Sequence, residues 1–321
     1  MNYEQLTLIK RYRILTLIKE GYNQREIAYD IGVHPSTISR ELKRNSNENY
    51  NAEQAHISCF IRHKHKSKNN AITSQIQKYI RSKLKQDWSP EQISGRMLID
   101  IGSTVHHETI YRFIYDNKAS NGRLYLHLRH KNKKYHKRSN DYQRRGIIKN
   151  RICITTRPKI VDNKKRIGDW EIDTVIGANH QGVLVTIVDR KSKFALIKKV
   201  DSKHADVVTK ATIDLLYPLR RFTHTITSDN GKEFAYHEEI SKTLDTKFYF
   251  ANPYHSWERG LNEHTNGLIR QYIPKKSEFN NISKEEIVTI ASKLNNRPRK
   301  ALGYKTPFEV FMKAFSKKMA A

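Results

Sequence analysis

The order of elements from about residue 165 constrains this chain more than any other feature. "GDWEIDTVIGA", "GVLVTIVDR" and "SKFALIKKV" alternate or run apolar over strand lengths, with short turns between them. "SKHADVVTKATIDLLYPL" then has helical spacing, "FTHTITSDN" is a fourth strand, "EFAYHEEISKTL" a helix and "KFYFAN" a short fifth strand. "SWERGLNEHTNGLIRQYI" and "SKEEIVTIASKLNNRP" follow as helices. Three hairpin-linked strands, then strands separated by helices, predict a mixed five-stranded sheet flanked by helices over 161–321. That is the order of an RNase H-like α/β domain.

The first part of the chain has a different texture. Residues 5–45 read as three short helices, the last two being "NQREIAYDIG" and "HPSTISRELKRN". Ile27, Ala28, Ile31, Val33, Ile38 and Leu42 fall where a helix-turn-helix packs its pair, and Gly32 supplies the turn. Ser36, Thr37, Ser39, Arg40 and Lys43 are left outward, with Arg25 on the helix before, as DNA contacts for a domain over 1–50. A basic linker is expected over 51–71, from "RHKHKSKNN". Residues 72–117 resemble a second helix-turn-helix unit, with Ser89-Pro90 opening one helix and His106, His107, Thr109 and Arg112 as contacts on the next. From Lys118 to Arg151 the chain carries 12 Lys and Arg against the single acid Asp141, with Tyr125, Tyr135 and Tyr142 interleaved. A basic arm over 118–160 is expected there, too polar to fold alone.

Charge selects the partner class. The formal charge is +28 with a pI near 10.0, which favours phosphate backbone. No apolar run approaches the ~20 residues of a spanning helix, so no membrane is expected. Two cysteines in 321 residues exclude a disulfide framework or zinc module and point to a reduced, intracellular setting.

Against that background, acids at strand ends need a reason. Phosphodiester chemistry requires a deprotonated attacking oxygen and a sink for charge developing at phosphorus. Two Mg²⁺ ions ~3.5–4 Å apart supply both, and Mn²⁺ shares their preference for oxygen ligands. About three carboxylates make the smallest cage. Asp173 lies in the first strand and Asp229, in "SDNGKEF", at the end of the fourth. Glu263 follows from helical phase: at ~100° per residue it shares a face with Arg259, Asn266 and Arg270, opposite Trp257, Leu261, Leu268 and Tyr272. Glu258 is the reserve for the third acid. Glu171 is the rival for the first; Asp169 sits at the strand start, and Asp189 reads as a hairpin-turn residue. Arg259, Asn266 and Arg270 are expected to steady phosphates, and Asn230 to orient Asp229 or a water. If the acids did not converge, the alternative would be a helix-turn-helix transcription regulator with a non-catalytic α/β domain.

"GDWEIDTVIG", "TSDNGKEFA", "ANPYHSWERGLNEHTNGLIRQYIPK" and "LNNRPRKALGYKTPFEVF" resemble the catalytic motifs of the insertion sequence 30 family of DDE transposases. "REIAYDIGVHPSTISRELKRN" and "WSPEQISGRM…HHETIYRFIY" resemble that family's two N-terminal DNA-binding units, so the likeness covers nearly the whole chain. The 33 residues between Asp229 and Glu263 match the family's spacing. The resemblance implies that Asp173, Asp229 and Glu263 are catalytic and hold Mg²⁺. It also implies binding to terminal inverted repeats and to target DNA, a nick by water, and strand transfer by the freed 3′-hydroxyl. A homodimer or higher oligomer on DNA follows, in a cytoplasmic, nucleoid-associated prokaryotic protein.

Overall fold

The computed structural model describes residues 5–45, 49–65, 72–129, 148–178, 182–252, 255–275 and 277–319. The chain divides into two compact units, 1–70 and 71–321. The expected arm falls partly on 130–147, so Tyr135 and Tyr142 lie outside the described residues.

In the first unit, α1 (Leu8–Lys19), α2 (Gln24–Ile31) and α3 (Pro35–Asn45) enclose Ile14, Leu17, Ile27, Ala28 and Ile38. Asn23 and Glu26 form a capping box at the start of α2, and Gly32 closes it at φ 70°. The small core is stapled by Arg11, whose Nε donates to Glu41 Oε1 at 2.7 Å, both side chains buried. The linker expectation for 51–71 is corrected over its first part: α4 (Ala52–His65) is a helix packed on α1. Ala52 and Ala55 are fully buried there; small side chains let two helices close up, and the Lys-rich end of this segment hid that signal.

The second unit opens with α5 (Ser74–Lys85), α6 (Pro90–Ile101) and α7 (His107–Ala119) around Ile80, Leu84, Trp88, Ile93, Met97, Ile110 and Ile114. Ser89 and Gln92 make the capping box of α6, with Pro90 at its first position. The paired histidines have a local explanation. His106 caps α7 by accepting from Glu108 N at 3.4 Å, and His107 approaches the Glu108 carboxylate.

The sheet order is β3-β2-β1-β4-β5, with β1 (Asp169–Ile176), β2 (Val183–Asp189) and β3 (Ala195–Val200) antiparallel. β4 (Thr225–Ser228) and β5 (Lys247–Phe250) run parallel to β1 and to each other. α9 (Ala205–Leu216), α10 (His237–Leu244) and α13 (Pro307–Met319) cover one face, burying Trp170, Ile172, Val185 and Ile187. α11 (Gly260–Tyr272) and α12 (Lys284–Asn295) cover the other through Val175, Leu184, Leu268 and Leu294. Gly168, φ 95°, immediately precedes β1; a Cβ there would strike the carbonyl oxygen of Phe222, so only glycine fits.

The arm expected over 118–160 is also corrected at its end. Residues 148–162 fold onto the core: Phe250 N donates to Ile152 O at 2.9 Å, Cys153 bridges to Phe250, and Ile148, Ile154 and Val161 are buried. This segment includes α8 (Lys159–Asp162). The apolar pair Ile147-Ile148 and the run Ile152-Cys153-Ile154 flank "KNR", and the surrounding basic count concealed them.

Candidate active site

β1 presents Asp169, Glu171 and Asp173 on one face, because side chains alternate along a strand. Its parallel pairing with β4 runs Asp169↔Thr225 to Glu171↔Thr227. Continued two residues further, that register sets Asp173 beside Asp229, just past the end of β4.

The three β1 acids differ in how they are neutralised. Asp169 accepts two hydrogen bonds from Arg166 (2.8 and 2.9 Å) and one from Thr225. Glu171 takes Arg190 Nη1 at 2.8 Å and the backbone N–H of Asn262 at 3.2 Å. Asp173 and Asp229 instead share one guanidinium. Arg259 Nη1 lies 3.6 Å from Asp173 Oδ1, and its Nη2 lies 3.3 Å from Asp229 Oδ2. Burial, followed by repulsion from Asp229 and Glu233, pushes the Asp173 carboxyl up to about 6 in spite of Arg259.

α11 completes the surroundings. Asn266 Nδ2 donates to Asp173 Oδ2 at 2.9 Å and its Oδ1 accepts from Thr186 at 3.1 Å. Glu263 sits on α11 four residues after Arg259 and three before Asn266, hence on the side that faces β1, and it is exposed. Among the described residues, no three His, Cys, Asp or Glu side chains form a group that could hold a metal. Two aspartates converge, and Glu263 stands beside them without joining.

Helical phase sets Glu263, Arg259, Asn266 and Arg270 opposite the stripe expected to bury; in the structure Asn266 and Arg270 of that polar face bond to β1. Arg270 Nη2 donates to Ile176 O at 2.9 Å, and Asn262 and Thr265 are buried with Leu268. Leu261 and Tyr272 are only half-buried, and the side chain of Trp257 lies outside the described residues. The reserve acid Glu258 is engaged elsewhere, accepting from Asn252 N and Nδ2 at 2.8 and 3.0 Å. Asp189 is the expected turn residue, bonded to Gly168 N, Ser192 N and Ser192 Oγ.

The "SDNGKEF" turn holds two residues whose roles the sequence left open. Asn230 is buried, accepting from Arg151 and donating to Ala251 O at 2.8 Å, so it fixes the loop itself. Glu233 folds back over Gly231 and accepts from Thr174 Oγ1 at 2.9 Å, with Lys203 Nζ at 3.0 Å. A Cβ at Gly231 would collide with that carboxylate. Glu233 was missed as a neighbour of Asp173; its place inside the motif was the available signal.

Two family models match the chain: a helix-turn-helix domain over residues 2–45 and an integrase core domain over 163–256. The second spans Asp173 and Asp229 and ends before Glu263. The chain is 44% identical over 321 residues to the transposase for insertion sequence element IS4351 of Bacteroides fragilis, covering 99% of this chain and 98% of that protein. It is 35% identical over 317 residues to the transposase InsI for insertion sequence element IS30A of Escherichia coli (strain K12), covering 95% and 82%. The chain belongs to the IS30 family of insertion-sequence transposases. A third relative, the transposase for insertion sequence element IS1086 of Cupriavidus metallidurans, is 35% identical over 323 residues, covering 96% of this chain and 94% of that protein.

Within this transposase, the expected DNA contacts of the first unit lie at its surface. Arg25, Ser39, Arg40 and Lys43 are exposed, while Ser36 and Thr37 are half-buried in the first turn of α3. His34 Nδ1 receives Ser36 N at 3.2 Å and so opens that helix. His106 and Arg112 are exposed on α7, and His107 and Thr109 half-buried. No described helix is long and apolar enough to cross a membrane.

Proposed function

We propose that this transposase binds the terminal inverted repeats of its element, cuts their ends with water and joins the freed 3′-hydroxyl to target DNA. Asp173, Asp229 and Glu263 hold two Mg²⁺ ions in this reading, and Mn²⁺ can substitute. The observation that carries it is the convergence of Asp173 and Asp229 on a single guanidinium, which leaves more negative charge than the protein neutralises.

The donor set fits a hard divalent ion: carboxylate oxygens from β1 and the turn after β4, with a third carboxylate on the adjoining helix. When bound, the metal lowers the pKa of the attacking oxygen and offsets charge at the phosphorus. Asn266 holds Asp173 by Oδ2, and the loop around Asn230 holds Asp229. Arg259, once its carboxylates have another cation, is free to meet a phosphate oxygen. In the first displacement a water oxygen bonds to phosphorus as the bond to the 3′ oxygen breaks. In the second, that 3′ oxygen bonds to a target phosphorus and another 3′ oxygen leaves; each attacking oxygen loses its proton to solvent. Two ends must be held together, which implies a homodimer or higher oligomer on DNA, with the first helical unit reading bases through α3.

The test is strand transfer with labelled end-repeat DNA and Mg²⁺. Asp229→Asn is expected to shift that DNA normally in a gel while joining falls by at least about 10²-fold. A variant that joins at the wild-type rate removes the metal assignment.

A further inference from the structure

On the other side of α11 from Asp173 lies a cavity of about 1030 Å³, walled by the start of α6, by residues 154–164 and by the turn after α12. Its floor is Glu171, two residues before Asp173 on the same face of β1 and therefore ~7 Å along the strand. Seven Lys and Arg side chains line the cavity against four Asp and Glu.

The floor is internally neutral. Arg157 and Arg190 both reach Asp162, and Arg190 also binds Glu171. The rim is not. Lys159 and Lys164 are exposed and have no carboxylate partner among the described residues. Lys193 and Arg299 spend one donor each on backbone carbonyls, those of Arg190 and Leu294. Burial and Lys164 push the Lys193 ammonium down, and burial with Arg297, which lies outside the lining, pulls Arg299 down to about 10. The buried Nε of Arg157 has no partner either. Cations at the rim of a concave site, in excess of the acids that line it, favour a further anion. Tyr304 adds an aromatic ring to the wall, a surface on which a base stacks.

We propose that this cavity is a strand-binding subsite, where Lys159, Lys164, Lys193 and Arg299 hold successive phosphates of a single nucleic-acid strand alongside the β1 carboxylates. The inference rests on the phosphodiester reading given above and adds where a strand runs past the reacting phosphate. Free phosphate compounds share the same chemistry, and competition separates them from a strand.

The experiment uses the full chain without metal, so that no chemistry enters, and measures fluorescence anisotropy of a short labelled oligothymidylate against salt. Lys159→Glu with Lys164→Glu is expected to weaken binding by tenfold or more at low salt and to reduce the log–log salt slope by about 1.4, at ~0.7 per lost contact. Lys313→Glu with Lys317→Glu, the same charge change on exposed α13, is expected to alter neither by more than about twofold. Lys159→Gln with Lys164→Gln, a milder change, is expected to act in the same direction, and thermal melting confirms that each variant folds. Equal losses from the two reversed pairs, or no loss from the first, overturn the subsite. Inorganic pyrophosphate that binds the cavity as tightly as the oligonucleotide overturns the assignment to a strand. The metal reading is tested in a different assay, strand transfer by Asp229→Asn with Mg²⁺, so a failure of the subsite and a failure of the metal reading remain separate results.

Discussion

The entrance of β1 and its centre carry the same kind of side chain in opposite electrostatic conditions. At the entrance, Asp169 has Arg166 and Thr225, and Glu171 has the Asn262 N–H and Arg190; Arg190 also reaches Asp162, which takes Arg157 as well, so three acids meet three arginines. At the centre, Asp173 and Asp229 divide one arginine, and Asp173 is held near 6. Residue type does not separate the two regions, and burial runs the wrong way to explain them, since Asp169 and Glu171 are the more deeply buried. Countercharge does. Acids matched one-to-one hold the fold together, whereas acids sharing a cation are arranged for something that brings more positive charge.

The sharpest way to break that distinction is to take the countercharge from the entrance. Arg190→Met strands Glu171 in a buried site, with only the Asn262 N–H left to it. Removing one partner of a buried pair costs about 3–5 kcal/mol, so urea unfolding is expected to show a loss of that size. Adding Glu171→Leu to the same chain should recover much of it. A loss below about 1 kcal/mol would mean that the entrance pairs are not structural. Arg11→Met in the first unit makes the same test on the Glu41 pair, and a similar loss is expected there.

At the centre the expected sign reverses. The folded Asp173 titrates near 6 and the unfolded one near 3.8. Between those values the folded chain binds a proton that the unfolded chain has released. Its contribution to stability therefore falls as pH rises from about 4 to 6, and the penalty is complete above that. At ~1.36 kcal/mol per unit the penalty is about 2–3 kcal/mol. Asp173→Asn removes the charge, so the metal-free variant is expected to be more stable than wild type by up to that amount at pH 8, with little difference near pH 4. Mg²⁺ should raise the melting temperature of wild type and not of the variant. Destabilisation by Asn at pH 8 would place Asp173 with the entrance acids.

Much of this was legible from residues alone. The succession of strands and the capping residue Ser89 follow from local rules, because alternation and caps are set by near neighbours, and the Asp173–Asp229 pairing follows from the fold which that succession implies. The orientation of α11 was not. Leu261 and Leu268 suggested a simple apolar stripe, yet the buried set includes Asn262 and Thr265. Thr265 satisfies its hydroxyl within the helix by donating to Leu261 O, and the contact that draws this face onto β1 is the backbone N–H of Asn262 donating to Glu171, 91 residues away in the chain. The misread linker and arm share one cause. Averaged charge over a segment says nothing of Ala55 or Ile148, single side chains that fill gaps in distant surfaces.

The smallest expected effect tests whether one-to-one matching also governs the seam between the second helical unit and the α/β core. Arg96 donates to Glu309 on α13 at 2.7 and 2.8 Å while its Nε binds Asp100 at 2.7 Å, and this holds the Glu309 carboxyl at about 2. Glu309 remains 41% exposed, so solvent screens the pair and its contribution is about 1 kcal/mol or less. Glu309→Gln is expected to change global stability by no more than that. Yet among the described residues the seam has few other ties: Arg96 Nη1 to Tyr304 O at 3.3 Å, Tyr304 against Gly95, and the Lys293–Asp87 and Lys300–Glu91 pairs. The variant should therefore show faster amide exchange across α5–α7 with the sheet unchanged, because local opening samples the weakest interface first. Uniform exchange across both would mean that the helical unit and the sheet open as one, and that the exposed pair adds nothing to their docking.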